Sequence, residues 1–344
     1  MRALVTGATG FVGSHLAERL CADGVETLCT VRPTSSTAWL DGLPVRKVVA
    51  SLDEPEALPL GEVDCVFHVA GLTRARTAAA YLAANGEATR RLVEAAARLN
   101  PNLTRFVYVS SLAAAGPTPG DAPLDESAEP HPLPGYGASK LAGERAVLAA
   151  GQRIPVTIVR PPAVYGPRDR NFVALFRTAQ RWGLVPVVGS AANQLTLVHV
   201  ADLVEGLWLA ARAEAAVGQT YHIGSGTHSW AEIAAALAQA LARPLRIIRL
   251  PPLVARIIGE LGELKWTLIR KPQIVCRRKM RDALQPRWTL TWAKAERELG
   301  YTPKKGLAEG LRETAQWLAA QGLLRPLPAS GEQPAPHIHR LPHK

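Results

Sequence analysis

Cysteine is scarce and unpatterned in this chain of 344 residues: Cys21, Cys29, Cys65 and Cys276 show no CxxC spacing and mostly sit in apolar stretches. That argues against a disulfide framework and for buried thiols in a reducing compartment. Long apolar runs are also missing, and none approaches the roughly 18 residues that a membrane span needs. Met1-Arg2-Ala3-Leu4-Val5 leads straight into a glycine-rich turn, without the apolar region and cleavage site of a secretory signal. A cytoplasmic protein is expected.

Acidic residues are short in one region only. Residues 1–240 carry 20 Lys and Arg against 21 Asp and Glu, whereas residues 241–344 carry 20 against 8, so the net charge of +11 belongs to the last third. Within it, Lys265 to Arg281 holds seven basic residues and no acidic one. Such a stretch suits an anionic substrate, an acidic membrane surface or plain solvent. Nucleic acid is not an expected partner, since no recognition motif or aromatic-interleaved basic strand accompanies the charge.

What the chain does have is 47% hydrophobic residues, enough for a large core, and a length that suggests two lobes. Short apolar runs recur at 2–6, 27–31, 45–49, 64–69, 106–110, 156–160 and 219–223, with helical stretches such as 78–99 and 136–150 between them. Alternating β and α segments with non-alternating apolar strands imply an α/β fold: a parallel, doubly wound Rossmann-type sheet of about seven strands. Residues 1–166 form that domain, with the strand near 219–224 returning to it. Residues 167–325 form a smaller, mostly helical substrate lobe, interleaved with the first. Residues 326–344 are too poor in apolar groups to order and read as a tail, whose His337, His339 and His343 are incidental, so no metal is expected.

The first strand ends in Thr6-Gly7-Ala8-Thr9-Gly10-Phe11-Val12-Gly13, a GxxGxxG turn that opens a helix. Gly7 permits the tight turn, Gly10 lets backbone N–H groups approach a pyrophosphate at the helix N-terminus, and Gly13 lets the helix lie close to the sheet. The second strand ends Val31-Arg32-Pro33-Thr34-Ser35-Ser36, with no carboxylate to hold a ribose 2′-hydroxyl. Arg32 suits a 2′-phosphate instead, which favours NADP over NAD.

Tyr136 and Lys140 lie four apart at a helix start, hence on one face. A phenol with a pKa near 10 needs a cation beside it to act as acid/base at neutral pH. Tyr136 then moves a proton to or from a substrate oxygen while hydride passes to carbon. Ser111, at the carboxyl end of the strand Val107-Tyr108-Val109, is placed to donate a hydrogen bond to that oxygen.

With these motifs in place the chain resembles the extended short-chain dehydrogenase/reductase superfamily, over residues 1 to about 325. Further marks are Phe67-His68-Val69-Ala70-Gly71, Asn85, Arg160-Pro161-Pro162-Ala163-Val164-Tyr165-Gly166-Pro167 and His199-Val200-Ala201-Asp202. The resemblance implies that Ser111 orients the substrate oxygen, that Tyr136 is the acid/base, and that Lys140 also holds the nicotinamide ribose. It further implies that Ala70, Gly71, Pro161 and Val164 line the cofactor, and it makes a homodimer an open expectation. Ala50-Ser51-Leu52 departs from the family's Gly-Asp-Leu near the adenine.

Three absences choose among the activities of that superfamily. Leu112-Ala113 follow Ser111 where a dehydratase has Asp-Glu, Ala163 replaces an epimerase Asn, and Leu195 replaces the Arg that grips a sugar-nucleotide diphosphate. An NADP-dependent oxidoreductase acting on an apolar or CoA-linked carbonyl or alcohol is expected, as in the dihydroflavonol reductase and 3β-hydroxysteroid dehydrogenase branches. The alternatives are a nucleotide-sugar epimerase and a non-enzymatic cofactor-sensing or assembly subunit. The segment 253–281 is open to three readings: substrate pocket, peripheral membrane contact, or helix packing.

Overall fold

The computed structural model describes residues 1–269 and 276–327. The expected tail from residue 328 on, with its histidines, and Arg270 and Lys271 of the basic run lie outside the described residues. The strands, in chain order, are β1 (Arg2–Thr6), β2 (Glu26–Val31), β3 (Val45–Val49), β4 (Cys65–His68), β5 (Arg105–Val109), β6 (Val156–Arg160), β7 (Ala163–Tyr165), β8 (Leu184–Val188), β9 (Gln194–His199), β10 (Thr220–His222), β11 (Gly226–Ser229), β12 (Arg246–Leu250) and β13 (Arg287–Trp288). The α-helices are α1 (Phe11–Ala22), α2 (Ala78–Tyr81), α3 (Ala88–Leu99), α4 (Leu112–Ala115), α5 (Tyr136–Ala150), α6 (Val173–Trp182), α7 (Val200–Arg212), α8 (Trp230–Ala240), α9 (Pro252–Ile269), α10 (Arg277–Ala283), α11 (Ala293–Leu299) and α12 (Leu307–Ala320).

The fold is α/β, built on a seven-stranded sheet in the order β10-β6-β5-β4-β1-β2-β3 with every pairing parallel. Side chains of β1 alternate between two cores. Ala3 and Val5 pack with Leu16 of α1 and Leu203 of α7, while Leu4 packs with Leu92 of α3 and Val147 of α5. Helices thus cover both faces, the reason its central strands read as unbroken apolar runs. The chain runs β1-β2-β3 in one direction and resumes at β4 on the other side of β1. The carboxyl ends of β1 and β4 therefore flank the switch point, where sheets of this kind bind ligands.

The C-terminal lobe holds two small sheets that the apolar pattern did not reveal, β11-β9-β13 with β7 alongside β9, and β12-β8. A third core of Phe176, Val185, Leu197, Leu237, Leu311 and Leu318 lies among them. Among the described residues, no helix is long and apolar enough to cross a membrane.

Candidate active site

The glycine turn folds as its spacing requires. Gly7 sits at φ 71°, and a Cβ there would stand 2.7 Å from the Ala70 nitrogen, so the turn and the loop after β4 abut. A Cβ on Gly13 would stand 2.3 Å from the Gly7 carbonyl oxygen, which any larger residue would displace. Helix α1 starts without a side-chain cap and without an acidic residue in its first turn. The amides of Phe11, Val12 and Gly13 are thus left for an anion, as the first amides of any helix are. Gly10 is exposed beside them. The turn fits a dinucleotide pyrophosphate.

Arg32 is exposed just past the end of β2. It lies three strands from β5, about 14 Å at ~4.8 Å per strand, across the switch point from Ser111. The chemistry gathers on the other side of the switch point. Lys140, only 3% exposed, donates from Nζ to the Val109 carbonyl at 2.7 Å and lies 4.4 Å from the centre of the Tyr108 ring. Burial pushes its pKa down to about 7, against the opposing pull of Glu144. Gly71 is close by, since a Cβ on it would stand 3.6 Å from Nζ. Pro161 is buried behind the site and its carbonyl accepts from the Leu112 amide at 2.8 Å, whereas Val164 is half-buried on β7.

Ser111 caps α4, its hydroxyl accepting from the Ala113 amide at 3.2 Å. Tyr136 opens α5 and is half-buried. Burial raises its pKa, and the Ser111 hydroxyl and then the Arg278 guanidinium pull it back down. Sequence reasoning missed Arg278. It comes from α10 in the distant lobe, is 15% exposed, and places its guanidinium carbon 5.9 Å from the Tyr136 ring centre and 4.9 Å from that of Tyr81. Its NH2 donates to the Thr73 carbonyl at 3.0 Å and Asp282 pairs with it at 3.6 Å. A guanidinium stays charged at every relevant pH, while an ammonium with a pKa near that of Lys140 does not. Arg278 thus brings a guanidinium to the Tyr136 ring.

Supporting residues lock this arrangement. The expected helix 78–99 is interrupted by a π-helical turn, Leu82–Glu87, of the kind that often marks functional sites. It carries Asn85, whose side chain accepts from the Leu72 amide at 2.7 Å and donates to Ser139 Oγ at 3.0 Å. The loop after β4 is thereby tied to the helix of Tyr136 and Lys140. One turn beyond Lys140, Glu144 takes two hydrogen bonds from Arg160, at 2.8 and 2.7 Å, and one from Ser110 at 2.5 Å. Both charges are buried, at 2% and 7% exposure, so α5 is clamped to β5 and β6 beside the site. His199 and Asp202, by contrast, hold structure: His199 caps α7 and Asp202 accepts from the Lys304 and Lys305 amides.

Leu195, on β9, stands in register with His228 of β11. It lines a pocket with Phe172, Leu175, Leu197, Trp230 and Leu311 among others, and no polar surface lines it.

Residues 3–224 match the model of the NAD dependent epimerase/dehydratase family. The ceramide reductase of Caulobacter vibrioides is 34% identical over 93% of this chain and 95% of its own length. The 4-hydroxy-2-methyl-3-oxo-4-farnesyl-3,4-dihydroquinoline-1-oxide ketoreductase of Stigmatella aurantiaca is 30% identical over 90% of this chain and 95% of its own. Among solved structures, gox2253 superposes with a TM-score of 0.78 at 27% identity, covering 94% of this chain and 99% of that one. MoeE5 in complex with UDP-glucuronic acid and NAD gives 0.73 at 27%, covering 93% and 100%. The chain belongs to the NAD dependent epimerase/dehydratase family and is an NAD(P)-dependent enzyme of the extended short-chain dehydrogenase/reductase type.

Proposed function

We propose that this enzyme reduces a carbonyl on a lipophilic substrate, with NADPH as its reductant. The observation that carries this reading is the apolar surround of Leu195. Where a sugar-nucleotide enzyme of the family presents a diphosphate-gripping cation, this chain presents an apolar wall completed by Phe172, Trp230 and Leu311. A diphosphate brought there would lose water and gain no partner, a cost of several kcal/mol. An acyl or prenyl chain gains roughly 0.8 kcal/mol per CH₂ buried. The two relatives named above support it, since each is named as a reductase of a lipid or of a farnesylated ketone.

The glycine turn, Ala70, Gly71, Lys140, Pro161 and Val164 hold the dinucleotide, and exposed Arg32 takes its 2′-phosphate. The nicotinamide, when bound, supplies the hydride. Ser111 and Tyr136 together hold the substrate oxygen, which fixes the carbonyl and polarises it. Tyr136, protonated at neutral pH as a phenol ordinarily is, gives its proton to that oxygen as the alcohol forms. Arg278 and Lys140 then stabilise the phenolate until it is reprotonated.

Replacing Tyr136 tests this assignment. Tyr136→Phe is expected to lower turnover roughly 10²–10⁴-fold with NADPH affinity unchanged. Turnover near that of the wild type would remove Tyr136 from the chemistry.

A further inference from the structure

We propose that α9 is an interfacial helix whose outer face lies on an anionic lipid bilayer. Helix α9 follows β12 through Pro251 and packs one side against α10: Ala255 and Trp266 are buried, and a Cβ on Gly259 would stand 3.1 Å from both the Arg277 Cα and the Met280 Cγ. At about 100° per residue, these three positions fall within one narrow arc. On the opposite side, Leu253, Val254, Ile257, Leu261 and Leu264 share a second arc about 100° wide. They are 68, 39, 51, 60 and 56% exposed. A surface helix ordinarily turns charge toward water. This one is apolar on both sides, and among the described residues the side chains of its outer arc are left exposed.

Charge selects the occupant. Residues 243–281 carry eleven Lys and Arg against two Glu. Lys265 borders the apolar arc on one side, with Glu260, Arg256 and Glu263 on the other, and Glu260 is held by the exposed Arg277 at 2.5 Å. A bilayer with anionic headgroups offers an apolar layer inside a negative one, the pairing that an apolar arc in a segment of net charge +9 matches. The surface has a use only if the substrate is lipophilic, and to that extent it extends the reading above. Helix α10, against which α9 packs, carries Arg278 at Tyr136, so a substrate dissolved in the bilayer would enter beside the site.

The test is co-sedimentation of the full chain, loaded with NADPH, with vesicles of equimolar phosphatidylglycerol and phosphatidylcholine, and with phosphatidylcholine alone. The wild type should pellet with the anionic vesicles only, and less as salt is raised. The double variant Ile257→Glu, Leu261→Glu should lose about tenfold or more of that affinity. Its melting temperature and NADPH binding should be unchanged, because both side chains are exposed. The proposal is overturned if the wild type stays in the supernatant with anionic vesicles, if the double variant pellets as the wild type does, or if the wild type is a dimer that the double variant splits. Each outcome is independent of Tyr136: a failed Tyr136→Phe test removes the catalytic reading, and a failed sedimentation test removes only the surface.

Discussion

Arg278 is the residue that most alters the chemistry expected of this site. Lys140 is so buried that its own charge weakens near neutrality, whereas the Arg278 guanidinium carbon stands 5.9 Å from the Tyr136 ring centre. The groups facing the phenol are Ser111 of the sheet domain, Tyr81 of α2 and Arg278 of α10. Alcohol oxidation, the reverse reaction, needs the phenolate, so its rate rises with pH through the Tyr136 pKa. Removing a guanidinium about 6 Å from the ring centre makes the phenolate harder to form. In Arg278→Met the alkaline limb of the oxidation profile should therefore move up. Arg278→Lys should restore part of the shift. An unmoved profile in the Met variant would make Arg278 a packing residue only. At the other end of the cofactor, Arg32→Asp should reverse the preference from NADPH to NADH, by about tenfold or more in the ratio of affinities. An unchanged ratio would place the 2′-phosphate elsewhere.

Among the elements, α5 does the most to position the chemistry. It carries Tyr136 and Lys140 on one side and is pinned by Glu144 to Arg160 and Ser110. Glu144→Gln leaves a buried guanidinium without its counter-ion and should cost roughly 3–5 kcal/mol of stability, read from the urea midpoint. A loss below about 1 kcal/mol, the scale of an exposed pair, would mean that α5 is held by packing alone. Elements of this kind were unevenly legible. The strands of the main sheet, α1 and α5 stood out because apolar runs, glycines and YxxxK are local signals. The π-helical turn at Asn85 did not, since its residues continue a helical pattern and only tertiary bonds to Leu72 and Ser139 reward the extra residue. The short strands of the lobe were hidden by the same rule: β11 and β13 are two to four residues long and hold no periodicity.

For the whole molecule, the sequence pattern yields the fold class and the candidate catalytic set together, because the switch point of a doubly wound sheet places strand ends and their motifs in one crevice. It does not yield what comes from the second lobe. Arg278 was visible only as part of a basic run, and nothing local separates a guanidinium at a phenol from one in water. The Leu195 pocket was visible as an absence of charge, and its walls became known only when β9, α6, α8 and α12 came together. The central claim joins these parts: an apolar substrate site, an NADP site and a tyrosine acid. It is tested most directly by following nicotinamide absorbance as the purified enzyme meets a long-chain ketone, a short-chain ketone and a UDP-sugar, each with NADPH and with NADH. The account predicts net oxidation of NADPH, fastest with the long-chain ketone and slower with NADH. Interconversion of the UDP-sugar with no net change in absorbance, and no oxidation with either ketone, would contradict it and establish an epimerase.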